Sequence, residues 1–128
     1  MTRLRWNCKD RGCRLEQRWD PEVLDGCLPR GSSFGDTDAW VEIGGRFLFI
    51  EHKGVGVTLP VGGQRMALAR LAEQPRTTVL LLRDRDDGRY DLRNMEKPES
   101  GMRVLTLAEL REAVRAWGLR DKDERAAA

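Results

Sequence analysis

Polar and apolar residues alternate from Asp36 to Ile43, with Asp36, Asp38, Trp40 and Glu42 on one side and Thr37, Ala39, Val41 and Ile43 on the other. A period of two predicts a strand over 36–43. Gly44 and Gly45 follow, and both can take positive φ, so a two-residue hairpin turn is expected. The return strand is RFLFIEHK, 46–53, whose FLFI run is apolar on both faces and therefore belongs inside a sheet. The glycine-rich stretch 54–62 reads as a loop. From Gly63 to Glu73 the period becomes helical, with Met66, Leu68, Ala69, Leu71 and Ala72 on one broad face and Pro75 as the stop. TTVLLLR, 77–83, is a buried strand; RDRDDG is a polar turn; RYDLRNM is a more exposed strand, although 90–103 as a whole is ambiguous.

Thr106 and Glu109 have the spacing of a capping box, in which each side chain satisfies the other residue's backbone N–H. Leu107, Leu110, Val114 and Trp117 give the following helix its apolar stripe, and Gly118 is its expected end. Upstream, a short helix is expected around 8–18, broken by Gly12, and Pro21 opens a turn or a second short helix. The order is α-β-β-α-β-(β)-α. It describes an α/β domain over 1–119 with a disordered tail over 120–128.

Composition agrees with one globular domain: 128 residues, 40% hydrophobic and 34% charged. A formal net charge of +2 supplies no strong field toward nucleic acid. Arginine greatly outnumbers lysine, which suits phosphate binding but equally reflects codon bias. No window is apolar enough to cross a membrane, and the start MTRLRWNCKD lacks the apolar core of a signal peptide. Three cysteines without such a signal point to free thiols in a reducing cytoplasm, bacterial or phage-infected.

The hairpin has a chemical consequence. A two-residue turn makes Ile43 face Arg46, so Asp38 faces Glu51 and Asp36 faces Lys53. Opposed residues share a face, with Cβ atoms roughly 4.5–5.5 Å apart. Two carboxylates thus lie side by side with a lysine one pleat further on. Like charges so placed destabilise a sheet unless one is protonated or a cation lies between them. Hard divalent cations take carboxylate oxygens, water and phosphate. The plain alternative is a surface ion pair and two solvated strand ends. The combination at the end of an apolar strand favours a site.

Asp38, twelve residues, then Glu51-His52-Lys53, with Gln64 near the head of the next helix, resembles the PD-(D/E)xK nuclease superfamily. The small single-domain members are the most similar: virus-type replication–repair nucleases, Holliday-junction resolvases and phage-encoded nucleases. The likeness spans roughly residues 12 to 83. Thr37 stands where the family's pattern has proline. The resemblance implies a restriction-endonuclease-like core, a mixed central sheet flanked by helices. It implies that Asp38, Glu51 and the His52 carbonyl hold Mg²⁺ or Mn²⁺, that Lys53 positions water or stabilises charge, and that Gln64 holds Lys53 or a phosphate. Glu16, with Glu22 as rival, would be the additional acid of the first helix. The implied activity is hydrolysis of phosphodiester bonds in DNA, duplex or branched, by an endonuclease of phage or bacterial replication, repair or recombination. A homodimer would supply binding area that one chain lacks.

Two other classes compete: a non-catalytic nucleic-acid-binding module with the same fold, and a zinc-held interaction protein. Cys8, Cys13 and Cys27 hint at zinc, but the spacing is not the tight CxxC pair and a fourth ligand is missing; free thiols explain them as well. His52, the single histidine, points away from Glu51 and Lys53 by strand alternation, so only its carbonyl is expected to matter. The loop KGVGVTLPVGGQ lacks GK[ST] and is not a nucleotide-binding loop. Lys9, Arg30, Arg65 and Arg70 are candidate phosphate contacts whose ordinary role is solvated surface. Trp40 lies on the face of Asp38, for base stacking or for packing against the first helix.

Overall fold

The computed structural model describes residues 21–24, 26–29, 38–59, 62–97 and 101–127. The chain divides into two compact units, Met1–Asp36 and Thr37–Ala128. In the first, Pro21–Leu24 forms a turn of 3-10 helix, and the Cys27 amide donates to the Leu24 carbonyl at 3.1 Å. The helix expected around 8–18 lies outside the described residues, as do Cys8, Lys9, Cys13, Glu16, Arg30, Asp36 and Thr37.

The second unit is α/β. Strands β1 (Ala39–Ile43) and β2 (Arg46–Lys53) are followed by helix α1 (Gly62–Ala72) and strands β3 (Thr77–Asp84), β4 (Tyr90–Asn94) and β5 (Arg103–Leu105). Helix α2 (Leu107–Ala127) closes the chain. The strands form one mixed sheet in the order β1-β2-β3-β4-β5. Only the β2–β3 pair is parallel, because α1 carries the chain back across the sheet between them. The short β5 was not expected. It pairs with β4 and makes β4 an interior strand, with Asp91 and Leu92 buried.

The hairpin turn has the predicted geometry, with Gly44 at φ 58° and Gly45 at φ 84°. Its register runs from Ala39 opposite Ile50 to Ile43 opposite Arg46. Two side chains brace it: Glu42 Oε2 accepts from the Gly45 amide at 2.7 Å, and Arg76 Nη2 donates to the Gly44 carbonyl at 2.8 Å.

Strand alternation divides the core between two faces. On one, Leu48, Leu80, Leu82, Leu92 and Leu105 pack with Trp117 of α2, joined by Leu110 and Val114. Arg46 is buried there with its guanidinium 4.4 Å from the Trp117 ring centroid, and Nη1 donates to the Trp117 carbonyl at 2.8 Å. On the other face, Val79, Leu81 and Met95 pack with Ala72 of α1, joined by Phe49, Leu68, Ala69 and Leu71.

Two members of the expected stripes stay outside. Met66 is exposed, since it lies about 200° around the helix from Leu68. Leu107 is exposed because α2 begins there and meets the core only from Leu110 onward. The capping box is formed: the Glu109 amide donates to Thr106 Oγ1 at 3.2 Å, and the Thr106 amide donates to Glu109 Oε1 at 3.0 Å. The helix does not stop at Gly118 as expected but continues to Ala127. The residues after Gly118 include no proline, glycine or β-branched side chain, so one glycine does not end it.

Candidate active site

The site grows from the end of β2. Alternation puts Phe47, Phe49, Glu51 and Lys53 on the α1 face and Leu48, Ile50 and His52 on the α2 face. Glu51 is 6% exposed, which a lone carboxylate could not tolerate without losing several kcal/mol. It is compensated from two elements. Lys53 Nζ lies 3.4 Å from Glu51 Oε1, and Gln64 Nε2, in the first turn of α1, donates to the same oxygen at 3.3 Å. A glutamine placed so early in the helix reaches back over the sheet because the loop from Lys53 sets α1 directly on this face.

Asp38 immediately precedes β1, whose register begins with Ala39 opposite Ile50. Its carboxylate turns to the β2 backbone, where Oδ2 accepts from the His52 amide at 2.7 Å. That tie places Asp38 beside the peptide between the glutamate and the lysine. The His52 imidazole is on the opposite face, with Nε2 3.0 Å from Asp84 Oδ1. The expectation that the ring itself stands apart from Glu51 and Lys53 therefore agrees with the structure.

No family model, curated protein or solved structure matches the chain.

Sequence reasoning missed the neighbours contributed by β3 and β4. The parallel register sets Lys53 beside Arg83, and the antiparallel register sets Arg83 opposite Asp91. Arg83 donates to Asp91 Oδ2 from Nε at 3.1 Å and from Nη2 at 2.9 Å, while Arg85 Nη1 donates to Asp91 Oδ1 at 3.1 Å. Burial pushes the Asp91 carboxyl up, but the two guanidinium groups outweigh it and hold the carboxyl below the usual range. In the adjoining turn, Arg89 and Arg85 lower the Asp87 carboxyl to about 2. The sequence marks RDRDDG as a polar turn, and the pairing of its charges with Asp91 needs the β3–β4 register.

Arg65 and Arg70 are exposed on α1. Trp40 is 61% exposed and tilted against Phe47, with ring centroids 6.4 Å apart, on the Glu51 face. Glu22 falls in the 3-10 turn, and Cys27 is an exposed free thiol.

Among the described residues no group of three or more His, Cys, Asp or Glu side chains is arranged to hold a metal. Asp38 and Glu51 are two oxygen donors, and that chemistry suits a hard cation. Mg²⁺ in particular uses one or two carboxylates and completes its shell with water and substrate phosphate. Carboxylate oxygens are the donor type that Mg²⁺ and Mn²⁺ take, unlike the thiolates and imidazoles of a zinc site.

Proposed function

We propose that this protein is a divalent-metal-dependent nuclease of restriction-endonuclease-like fold that hydrolyses phosphodiester bonds in DNA. One observation carries the reading. A buried glutamate, Glu51, is shared by a lysine two residues on and a glutamine from the next helix, with Asp38 docked on the intervening His52 amide. Burying a carboxylate and gathering a cation and an amide on one of its oxygens is costly, and that cost supports a functional role for this end of the sheet.

In this reading Asp38, Glu51 and the His52 carbonyl hold Mg²⁺ or Mn²⁺, which when bound supplies Lewis-acid stabilisation of phosphate charge. Lys53 orients the attacking water or donates to the developing phosphorane oxygens. Gln64 keeps Glu51 and Lys53 aligned. Water attacks phosphorus in line, the opposite P–O bond breaks, and the products are a phosphate monoester and a hydroxyl.

Cleavage of supercoiled plasmid and of a four-way junction in EDTA, Mg²⁺ and Mn²⁺ tests the reading. Metal-dependent cutting that Asp38→Asn and Lys53→Ala both lose supports it. A folded wild type that binds DNA and cuts in no metal would favour a binding module instead.

A further inference from the structure

The face that carries Glu51 and Lys53 does not end at β2. Lys53 is paired in register with Arg83, and both side chains project to the α1 side of the sheet. Arg83 and Lys53 keep 30% and 25% of their side chains exposed, so both are reachable from solvent. The Arg83 guanidinium is not a wandering surface group. Its Nε and Nη2 are fixed by Asp91, whose side chain is 11% exposed, and Asp91 is held in turn by Arg85. The third nitrogen, Nη1, makes only a long 3.4 Å contact with the Val57 carbonyl in the loop that leaves β2. Arg93 lies one pleat along β4 on the same face, and its Nε is buried without a hydrogen-bond partner. Three cations, Lys53, Arg83 and Arg93, thus lie close together on this part of the sheet, although the whole chain is nearly neutral.

We infer that Arg83, braced by Asp91, is a second phosphate-binding position beside Lys53, taking the nucleic-acid backbone one phosphate away from the bond being cut. The inference rests on the nuclease reading for the identity of the ligand. Two hydrogen bonds from Nε and Nη2 to the one oxygen Asp91 Oδ2 leave the guanidinium pre-oriented, which lowers the entropy lost when Nη1 exchanges the Val57 carbonyl for a phosphate oxygen.

Binding of a fluorescein-labelled DNA duplex is measured by anisotropy in EDTA, with salt raised from about 50 to about 200 mM. Arg83→Gln is expected to weaken binding about tenfold and to reduce the slope of log K against log salt by about one. Arg83→Lys keeps most of the slope. Arg115→Gln removes the same charge from the exposed surface of α2, where Arg115 pairs with Glu112, and leaves the slope unchanged. Equal losses for Arg83→Gln and Arg115→Gln would reduce the effect to net charge and overturn the inference. If Arg83→Gln does not fold, phenylglyoxal modification of the wild type, read by mass spectrometry, replaces it. Duplex DNA should protect Arg83 and not Arg115, and an unprotected Arg83 overturns the inference. Metal-dependent cutting without Arg83 protection sinks this position alone. Protection without cutting keeps the phosphate position and sinks the nuclease. A folded wild type that binds no duplex sinks both.

Discussion

Asp38 Oδ2 accepts a 2.7 Å hydrogen bond from the amide of His52, the residue between Glu51 and Lys53. The hairpin end is thereby closed by a carboxylate, and the same carboxylate is brought to the proposed metal position. Asparagine keeps the accepting oxygen but loses the charge. Asp38→Asn should therefore stay within about 0.5 kcal/mol of wild-type stability in urea. It should lower metal-dependent cleavage by at least about 100-fold. Unfolding of Asp38→Asn at much lower urea would mean that the charge serves the hairpin and not the reaction.

Glu51 and Lys53 form one unit with Gln64. Lys53→Ala removes a charged partner from a buried carboxylate and should destabilise the fold by about 1–3 kcal/mol. Adding Glu51→Gln removes the charge that Lys53 answers. The double variant should lose less than the two single variants together, a coupling readable from urea midpoints. Additive losses would show that the pair is not coupled.

Arg46 is the most deeply buried charge described, at 2% exposure, against Trp117. Arg46→Ala removes its stem from the core and its donor from the Trp117 carbonyl. A loss of about 2–4 kcal/mol is expected, with a shift of tryptophan emission in the folded state. An unchanged midpoint would place the weight of that corner on the leucines alone.

Asp91 makes stability depend on acid. Its folded carboxyl lies below the ordinary value of 3.8 because the hydrogen bonds from Arg83 and Arg85 outweigh the opposing effect of burial. The unfolded chain therefore binds the proton more readily. The stabilisation is complete above the unfolded value and is lost as pH falls through the folded one. Asp91→Asn should flatten the acid limb of a pH–Tm profile and leave its neutral limb sloping as before. An unchanged acid limb would assign acid sensitivity to other carboxylates.

Gly118 offers a gain. A Cβ there would meet Ile43 Cδ1 at 3.8 Å, an ordinary van der Waals distance, and the helix passes straight through. Gly118→Ala should raise stability by about 0.5–1 kcal/mol, measured as a higher Tm. A lower Tm would show that Ile43 needs the space.

Local rules in the sequence determined the parts of this protein that need only neighbouring residues. The period of two and the Gly44-Gly45 turn set the hairpin and its register, from Ala39 opposite Ile50 to Ile43 opposite Arg46. Thr106 and Glu109 set the start of α2 by reciprocal hydrogen bonds within one turn. The apolar runs marked β2 and β3 as interior strands. The tertiary structure decided what depends on distant pairing. Only packing of α1 on the sheet brings Gln64 to Glu51, and only the parallel β2–β3 register sets Arg83 beside Lys53. Asp91 lies eight residues from Arg83 across a turn, and its strand becomes an interior one through β5, a three-residue strand too short to leave a pattern. Gly118 shows the same division in reverse. Its local signal is a stop, and the helix passes it because the flanking residues favour helix and Trp117 is held in the core. Strand periodicity and caps are short-range and readable, whereas the neighbours that tune a charge are chosen by the sheet as a whole.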